Sequence, residues 1–389
     1  MKRPLCIALI GLASFFQGVS GQSLFGTQGL GMPLEPLDAR ARSLGTLGVG
    51  LMGPTLGPTD LASAARIFLP MAQFTLQPQW VEGEIAGQST SSTSTRFPHL
   101  GVAYPVPALK GTALLHFGSF MDQRWEVHEP SSQELGGESV PVTNVFKSDG
   151  GISTFQVGWA QRIGEDLSLG VSIGSRVGSV TRAFLRVIER GTLSDVLSYQ
   201  TGGEWQYSGL TTSVGFQWDP FQALRLAGGI NWSGDLKATP AEGTAGGPES
   251  FDIPMVYRFG ASGVLTPRLN LSLGFSFSDW NGSNELLGPE ALAGPIWSYG
   301  GGLEWAGPQL GPRNFPLRLG MRRSGLPFTF EGENPKENVY SGGIGLDLIP
   351  SQVGLMGGID LALERGTREA GSLSETFWRA TMTFRVGSF

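Results

Sequence analysis

The 389-residue sequence predicts an all-β fold: a transmembrane antiparallel β-barrel of about 14 strands with an N-terminal plug in the lumen. Three observations predict it: long stretches of strict period-two alternation, a low charged fraction, and connections that alternate between short and long.

Alternation comes first. Leu269, Leu271, Leu273, Phe275 and Phe277 share one face, and Asn270, Ser272, Gly274, Ser276 and Ser278 the other. Val353, Leu355, Ile359, Leu361 and Leu363 oppose Gly354, Gly358, Asp360 and Glu364. Trp378, Ala380, Met382, Phe384 and Val386 oppose Arg379, Thr381, Thr383 and Arg385. Period two is the signature of a strand with one apolar face. A soluble sandwich would also alternate. Here, however, the polar face is Gly, Ser, Thr and Asn with few Lys or Glu, as in a barrel lumen.

Composition agrees. Only 15% of residues are charged, against about 25% in soluble domains. The 59 glycines show no three-residue period, which excludes collagen. A net charge of −6 without a basic stripe gives no reason to expect nucleic acid as a partner.

Strands are expected from near residues 71, 95, 110, 151, 166, 203, 222, 250, 267, 296, 315, 338, 351 and 374. Short links fall at Pro105–Lys110, Ile163–Asp166, Asp219–Gln222, Thr266–Pro267, Gly307–Asn314 and Pro350–Ser351. Long links fall at Gly87–Ser94, Val127–Gly150, Arg190–Thr201, Pro240–Glu249, Asn284–Pro295, Glu331–Glu337 and Gly366–Leu373. One rim of tight turns and one of long loops is an outer-membrane arrangement. All ten Trp are expected within strands. Trp159, Trp218 and Trp305 lie near short turns; Trp125, Trp205, Trp232, Trp280, Trp297 and Trp378 lie near long loops. That reads as two interfacial belts.

The ends frame the barrel. Lys2 and Arg3 precede an apolar run, Pro4 to Phe16, too short for the ~20 residues of a spanning helix. Small residues at Val19-Ser20-Gly21 place a signal-peptide cut before Gln22. The single cysteine, Cys6, lies inside that signal, so the exported chain would carry no disulfide or thiolate metal site. The division expected is 1–21 signal peptide, 22–70 plug, and 71–389 barrel. Terminal Phe389 suits recognition by the barrel-insertion machinery. Residues 22–70 are rich in Gly, Pro and Ala, and Gly31, Gly45, Gly48 and Gly50 would let the plug flex.

Few motifs suggest chemistry. Gly48-Val49-Gly50-Leu51-Met52-Gly53 matches a dinucleotide fingerprint, but Pro54 follows and no helix opens there. His99, His116 and His128 lack metal-ligand spacing, and His116 shares the inward face with Thr112 and Gly118. No cofactor, metal or catalytic group is expected. Arg176, Arg225, Arg318, Arg322, Arg379 and Arg385 occupy polar faces, as do Asp347, Asp360 and Glu364. They would form either an ion-pair network bracing barrel and plug, or a site for a ligand's polar head. The candidate ligand residues are Arg318, Arg322, Arg379, Arg385 and Asp360.

Asp38-Ala39-Arg40-Ala41-Arg42-Ser43-Leu44-Gly45, followed by Gly48 and Gly50, resembles the opening motif of the long-chain fatty acid transporter (FadL/TodX-type) outer-membrane family. Thr59-Asp60-Leu61-Ala62-Ser63-Ala64 stands where that family has an Asn-Pro-Ala-Gly-Leu box. Phe277-Ser278-Asp279-Trp280-Asn281 resembles its Asp-Trp strand end. Leu317-Arg318-Leu319-Gly320-Met321-Arg322 with Pro327-Phe328 resembles another of its strands. The resemblance implies a fourteen-stranded barrel with an N-terminal hatch and passive uptake of hydrophobic small molecules such as long-chain fatty acids. The expected partners are such molecules or lipids, together with outer-membrane lipid and lipopolysaccharide around a monomer. A shuttle barrel with a protein partner, as in secretion systems, and a general porin stay open.

Overall fold

The computed structural model describes residues 23–85, 88–135, 137–189, 196–283, 294–310, 313–347 and 357–387. The expected signal peptide with Cys6, the cut before Gln22, and Phe389 lie outside them, as do Val353 and Leu355.

Fourteen strands close into an antiparallel barrel. Numbered in chain order, they are β1 Met71–Ile85, β2 Gln88–Val106, β3 Gly111–Asp122, β4 Glu138–Ile163, β5 Leu167–Glu189, β6 Val196–Phe221 and β7 Leu224–Ser233. The second half comprises β8 Val256–Thr266, β9 Leu269–Asp279, β10 Pro295–Trp305, β11 Leu317–Gly325, β12 Lys336–Asp347, β13 Gly357–Ala370 and β14 Leu373–Gly387. Closure comes from β1 against β14, in register from Met71↔Gly387 to Ile85↔Leu373. A closed sheet leaves no unpaired edge in lipid, where each orphaned backbone group would be costly.

Alternation decides the faces. On β9, Ser272, Gly274 and Ser278 are buried inward while Leu273 is exposed. Ile173, Val214, Ile230, Phe259 and Leu363 continue the exposed outer band around the wall. Trp80, Trp232, Trp297 and Trp378 lie exposed towards the long-loop rim, with Trp218 and Trp305 towards the short-turn rim. Two tryptophans depart from the expected belts. Trp280 follows the end of β9 and is buried in an inner cluster, with Trp205 packed against it.

The long-loop rim also departs from expectation, because much of it is sheet. Val127–Gly150 is a hairpin: strand Trp125–Leu135 pairs with the first half of β4. Pairing continues to Ile85↔Gln88, Glu189↔Val196 and Ala370↔Leu373, where long links were expected. β4 and β6 each reach 26 residues, whereas about 9–11 cross a bilayer. Outside lipid the outward face no longer has to be apolar, so alternation fades while backbone pairing carries on. Hydrogen exchange in detergent micelles is expected to show amides from Val142 to Ser148 slowed at least ~100-fold. Exchange at the free-chain rate there would contradict the hairpin.

Candidate functional site in the barrel lumen

Residues 23–70 run inside the barrel from one rim to the other. At the long-loop rim, Ser23 Oγ and the Leu24 amide donate to Glu375 of β14, at 2.8 and 2.7 Å. Phe25 packs there with Phe328 and Leu373. At the short-turn rim, Leu56, Leu61, Ala64 and Ile67 pack against Ala103, Leu114 and Ala160. Arg66 meets Asp219 at 2.6 Å.

Between the rims lies a short helix, α1, Ala39–Ser43. Asp38 caps it, accepting from the Ala41 amide at 2.8 Å, as an Asp does at this position. A one-turn helix needs wall contacts to persist. The Ala39 amide donates to Thr383 Oγ1, and Ser341 Oγ donates to the Ser43 carbonyl. Asp60 closes the chain on itself, accepting from the Gly50 and Ser63 amides. Burial pushes its carboxyl above the usual range, and those two amides oppose the rise.

Glycines set how closely chain and wall approach. Gly45 and Gly50 adopt φ of +60° and +73°. A Cβ on Gly45 would fall 2.5 Å from Met321 N, and one on Gly50 would fall 2.9 Å from the Gly260 carbonyl carbon. Gly31 and Gly48 also have positive φ. The wall reciprocates with Gly260, Gly300, Gly302, Gly320 and Gly343, each against residues 43–50. Here glycine answers a need for backbone contact as well as for positive φ.

All five expected ligand residues come together, in two ion-pair groups. In the first, Glu304 binds Arg40 at 2.7 Å and Arg318 at 2.6 Å; Arg318 binds Asp360 at 2.6 Å, and Arg385 also contacts Asp360. In the second, Glu337 binds Arg322, Arg368 and Arg379 at 3.2, 2.8 and 3.4 Å. Glu364 joins Arg322 at 3.4 Å, Arg379 at 3.5 Å and Arg42 at 3.9 Å. Burial, with Arg322 and Arg379 nearby and Glu364 opposing, lowers Arg42 to about 10, so it remains cationic at neutral pH. Arg225 instead holds Asp219 at 2.9 Å and the Leu51 and Gly53 carbonyls at 2.6 and 2.7 Å. Thus Arg318, Arg322, Arg379, Arg385 and Asp360 already hold partners. Sequence reading missed Arg40, Glu304, Glu337, Arg368 and Glu375. The inward parity of the four on strands was available; the distant partners were not.

Arg176 differs. It is buried, and among the described residues no carboxylate lies within 4 Å and its Nε and Nη1 have no hydrogen-bond partner. Its guanidinium lies 3.9 Å from the Phe120 ring centroid. Both border a cavity of about 200 Å³, with Arg258, Ser213 and Asn231 on one side and Trp280 and Ile296 on another. His116 borders it too, accepting or donating at 3.0 Å with His99, which Gln73 contacts at 3.3 Å. Among the described residues no group of three or more metal-ligating side chains occurs.

Fold and site together define a closed transmembrane barrel whose lumen holds its own N-terminal segment around a small, mixed cavity. No family model and no curated protein matches the sequence. Solved structures do match in fold. The chain resembles the Ralstonia pickettii toluene transporter TbuX at 13% identity and TM-score 0.59, over 92% of this chain and 99% of that one. It resembles a Pseudomonas aeruginosa FadL homologue at 10% identity and TM-score 0.59, over 91% and 99%. It resembles the Pseudomonas putida toluene transporter TodX at 12% identity and TM-score 0.58, over 91% and 98%. The fold is therefore that of the FadL-type barrels.

Arg40 joins segment to wall through two charge-assisted bonds to Glu304, and within the segment it donates to the Met52 carbonyl at 2.9 Å. Removing one partner of a buried pair costs about 3–5 kcal/mol. Arg40→Ala is expected to speed tryptic cleavage within residues 42–66 at least tenfold (~1.4 kcal/mol per decade), with the barrel still folded. Unchanged cleavage would show that Arg40 does not hold the segment.

Proposed function

We infer that this chain is an outer-membrane channel of the FadL type, taking up hydrophobic small molecules by passive, non-enzymatic diffusion. The single observation carrying this is the lumen-filling segment around a small cavity in a FadL-type fold. A wide polar lumen, as a general porin needs, is not compatible with that filling. No observation favours a shuttle barrel. Export by the signal peptide and a monomeric barrel complete the reading.

Residues 22–70 act as the plug. Their two anchorages differ in what a hydrophobe can replace. An apolar solute can substitute for contacts among Leu56, Leu61, Ala64 and Ile67 and the wall. It cannot substitute for carboxylates around Arg40 and Arg42. Displacement therefore begins at the short-turn end, with residues 54–65, between the Arg225 hold on Gly53 and the Arg66–Asp219 pair, while α1 stays docked. The ligand's polar end, where it has one, pairs with Arg176, a buried cavity-lining guanidinium with unused donors and, among the described residues, no carboxylate within 4 Å. This shifts the ligand site away from Arg318, Arg322, Arg379, Arg385 and Asp360, which brace the plug.

Two measurements test this. Proteoliposomes bearing the protein should take up a monoaromatic hydrocarbon or a long-chain fatty acid faster than empty ones. Arg176→Met should slow the fatty acid roughly tenfold, the worth of a charge-assisted bond, and leave the hydrocarbon unchanged. Deleting residues 23–66 should convert a poorly conducting barrel into an ion-conducting pore. No uptake of either probe by the intact protein would refute the transport reading.

A further inference from the structure

The outer wall carries a feature that uptake does not use. Arg323 on β11, Lys336 on β12 and Arg365 on β13 are exposed and lie on the lipid-facing parity. Arg323 follows Leu319 and Met321 on that face; Arg365 follows Leu361 and Leu363; Lys336 precedes Tyr340 and Ile344. An unpaired cation on a lipid-facing surface is tolerated near the interface or against an anion.

Their neighbours on the inner face make the contrast. Arg318, Arg322, Arg368 and Arg379, on the same or adjacent strands, all pair with carboxylates. Arg323, Lys336 and Arg365 have no carboxylate within 4 Å among the described residues, although Lys336 stands opposite Glu369 in register. Arg365 instead lies 5.4 Å from the Trp378 ring centroid.

Register brings the three together. Arg323 is opposite Asn338, and Arg365 is opposite both Tyr340 and Trp378. From strand spacing and rise, the Cα atoms of Arg323 and Arg365 are roughly 12 Å apart. Two extended arginine side chains span that gap and can close on one phosphate or on two neighbouring ones. Below them, Leu319, Met321, Leu361 and Leu363 offer an apolar wall for acyl chains. All three cations lie towards the long-loop rim, on the row of Trp378 and Trp80 or beyond it.

We propose that this face of β11–β13 binds a phosphate-bearing glycolipid of the outer leaflet, of lipopolysaccharide type. Arg323 and Arg365 grip the phosphates bidentately, Lys336 adds a point charge, and Tyr340 and Trp378 seat the sugar–lipid boundary. The assignment rests on the reading above only in placing the long-loop rim outside the cell.

The test is native mass spectrometry of the full chain with added bis-phosphorylated lipid A, its dephosphorylated form, and a neutral phospholipid. The intact protein should retain lipid A and neither of the others. Arg323→Gln with Arg365→Gln should weaken retention by ~tenfold or more. Lys237→Gln, removing an exposed cation from a different part of the wall, should leave retention unchanged. Heat-modifiable gel migration confirms that each variant is folded. Equal retention by the double variant, or equal retention of the dephosphorylated form, would overturn the proposal. Hydrocarbon uptake in proteoliposomes lacking lipid A reads the channel separately, so loss of one property does not mimic loss of the other.

Discussion

The buried charges between the N-terminal segment and the β10–β14 wall are the constraint on which the rest depends. Glu304, Glu337, Asp360, Glu364 and Glu375 all point inward, and all are nearly dry. Packed into one side of a filled lumen, such carboxylates require cations close by. The wall supplies Arg318, Arg322, Arg368, Arg379 and Arg385; the segment supplies Arg40 and Arg42. A buried ion pair adds little net stability over an apolar isostere, but losing one member is expensive. The network therefore acts less as a source of stability than as a device for register. It accepts α1 in one position and penalises any other.

The same register explains the glycine content. Composition made the 59 glycines conspicuous without giving them a place. Around residues 43–50 the segment's backbone lies almost on the sheet. A side chain at Gly302 or Gly320 would collide with Leu44, and one at Gly260 with Val49. Small inward residues and buried charges are therefore one design. The first permits the approach, and the second specifies where along the wall it happens.

This shows why the barrel was legible in the sequence and the site less so. Strand number and facing follow from period two, which lipid on one side and lumen on the other impose on each strand separately. That signal is local, and Leu269–Asp279 carries it in full. It ends where lipid ends, so the hairpin after Trp125 read as a loop. Trp280 misled for a related reason: an indole beside a long loop can turn inward as readily as outward, and neighbouring residues do not record which. Partner choice is less local still. Arg40 and Glu304 are 264 residues apart, and only closure of the sheet brings them together. Inward parity made Arg318 and Asp360 candidates. Whether they were free for a ligand depended on carboxylates and arginines contributed by other strands and by α1.

What distinguishes the two ends of the inner segment is then the kind of solvent each has replaced. Around α1 the wall stands in for water, offering charge for charge, and a nonpolar solute has nothing equivalent to give. Around Leu61 and Ile67 the wall stands in for oil, and any apolar surface of similar shape will serve. Exchange of one apolar neighbour for another is nearly balanced in free energy, whereas stripping a carboxylate from a buried guanidinium is not. The barrel thus holds one chain by two interactions of opposite selectivity.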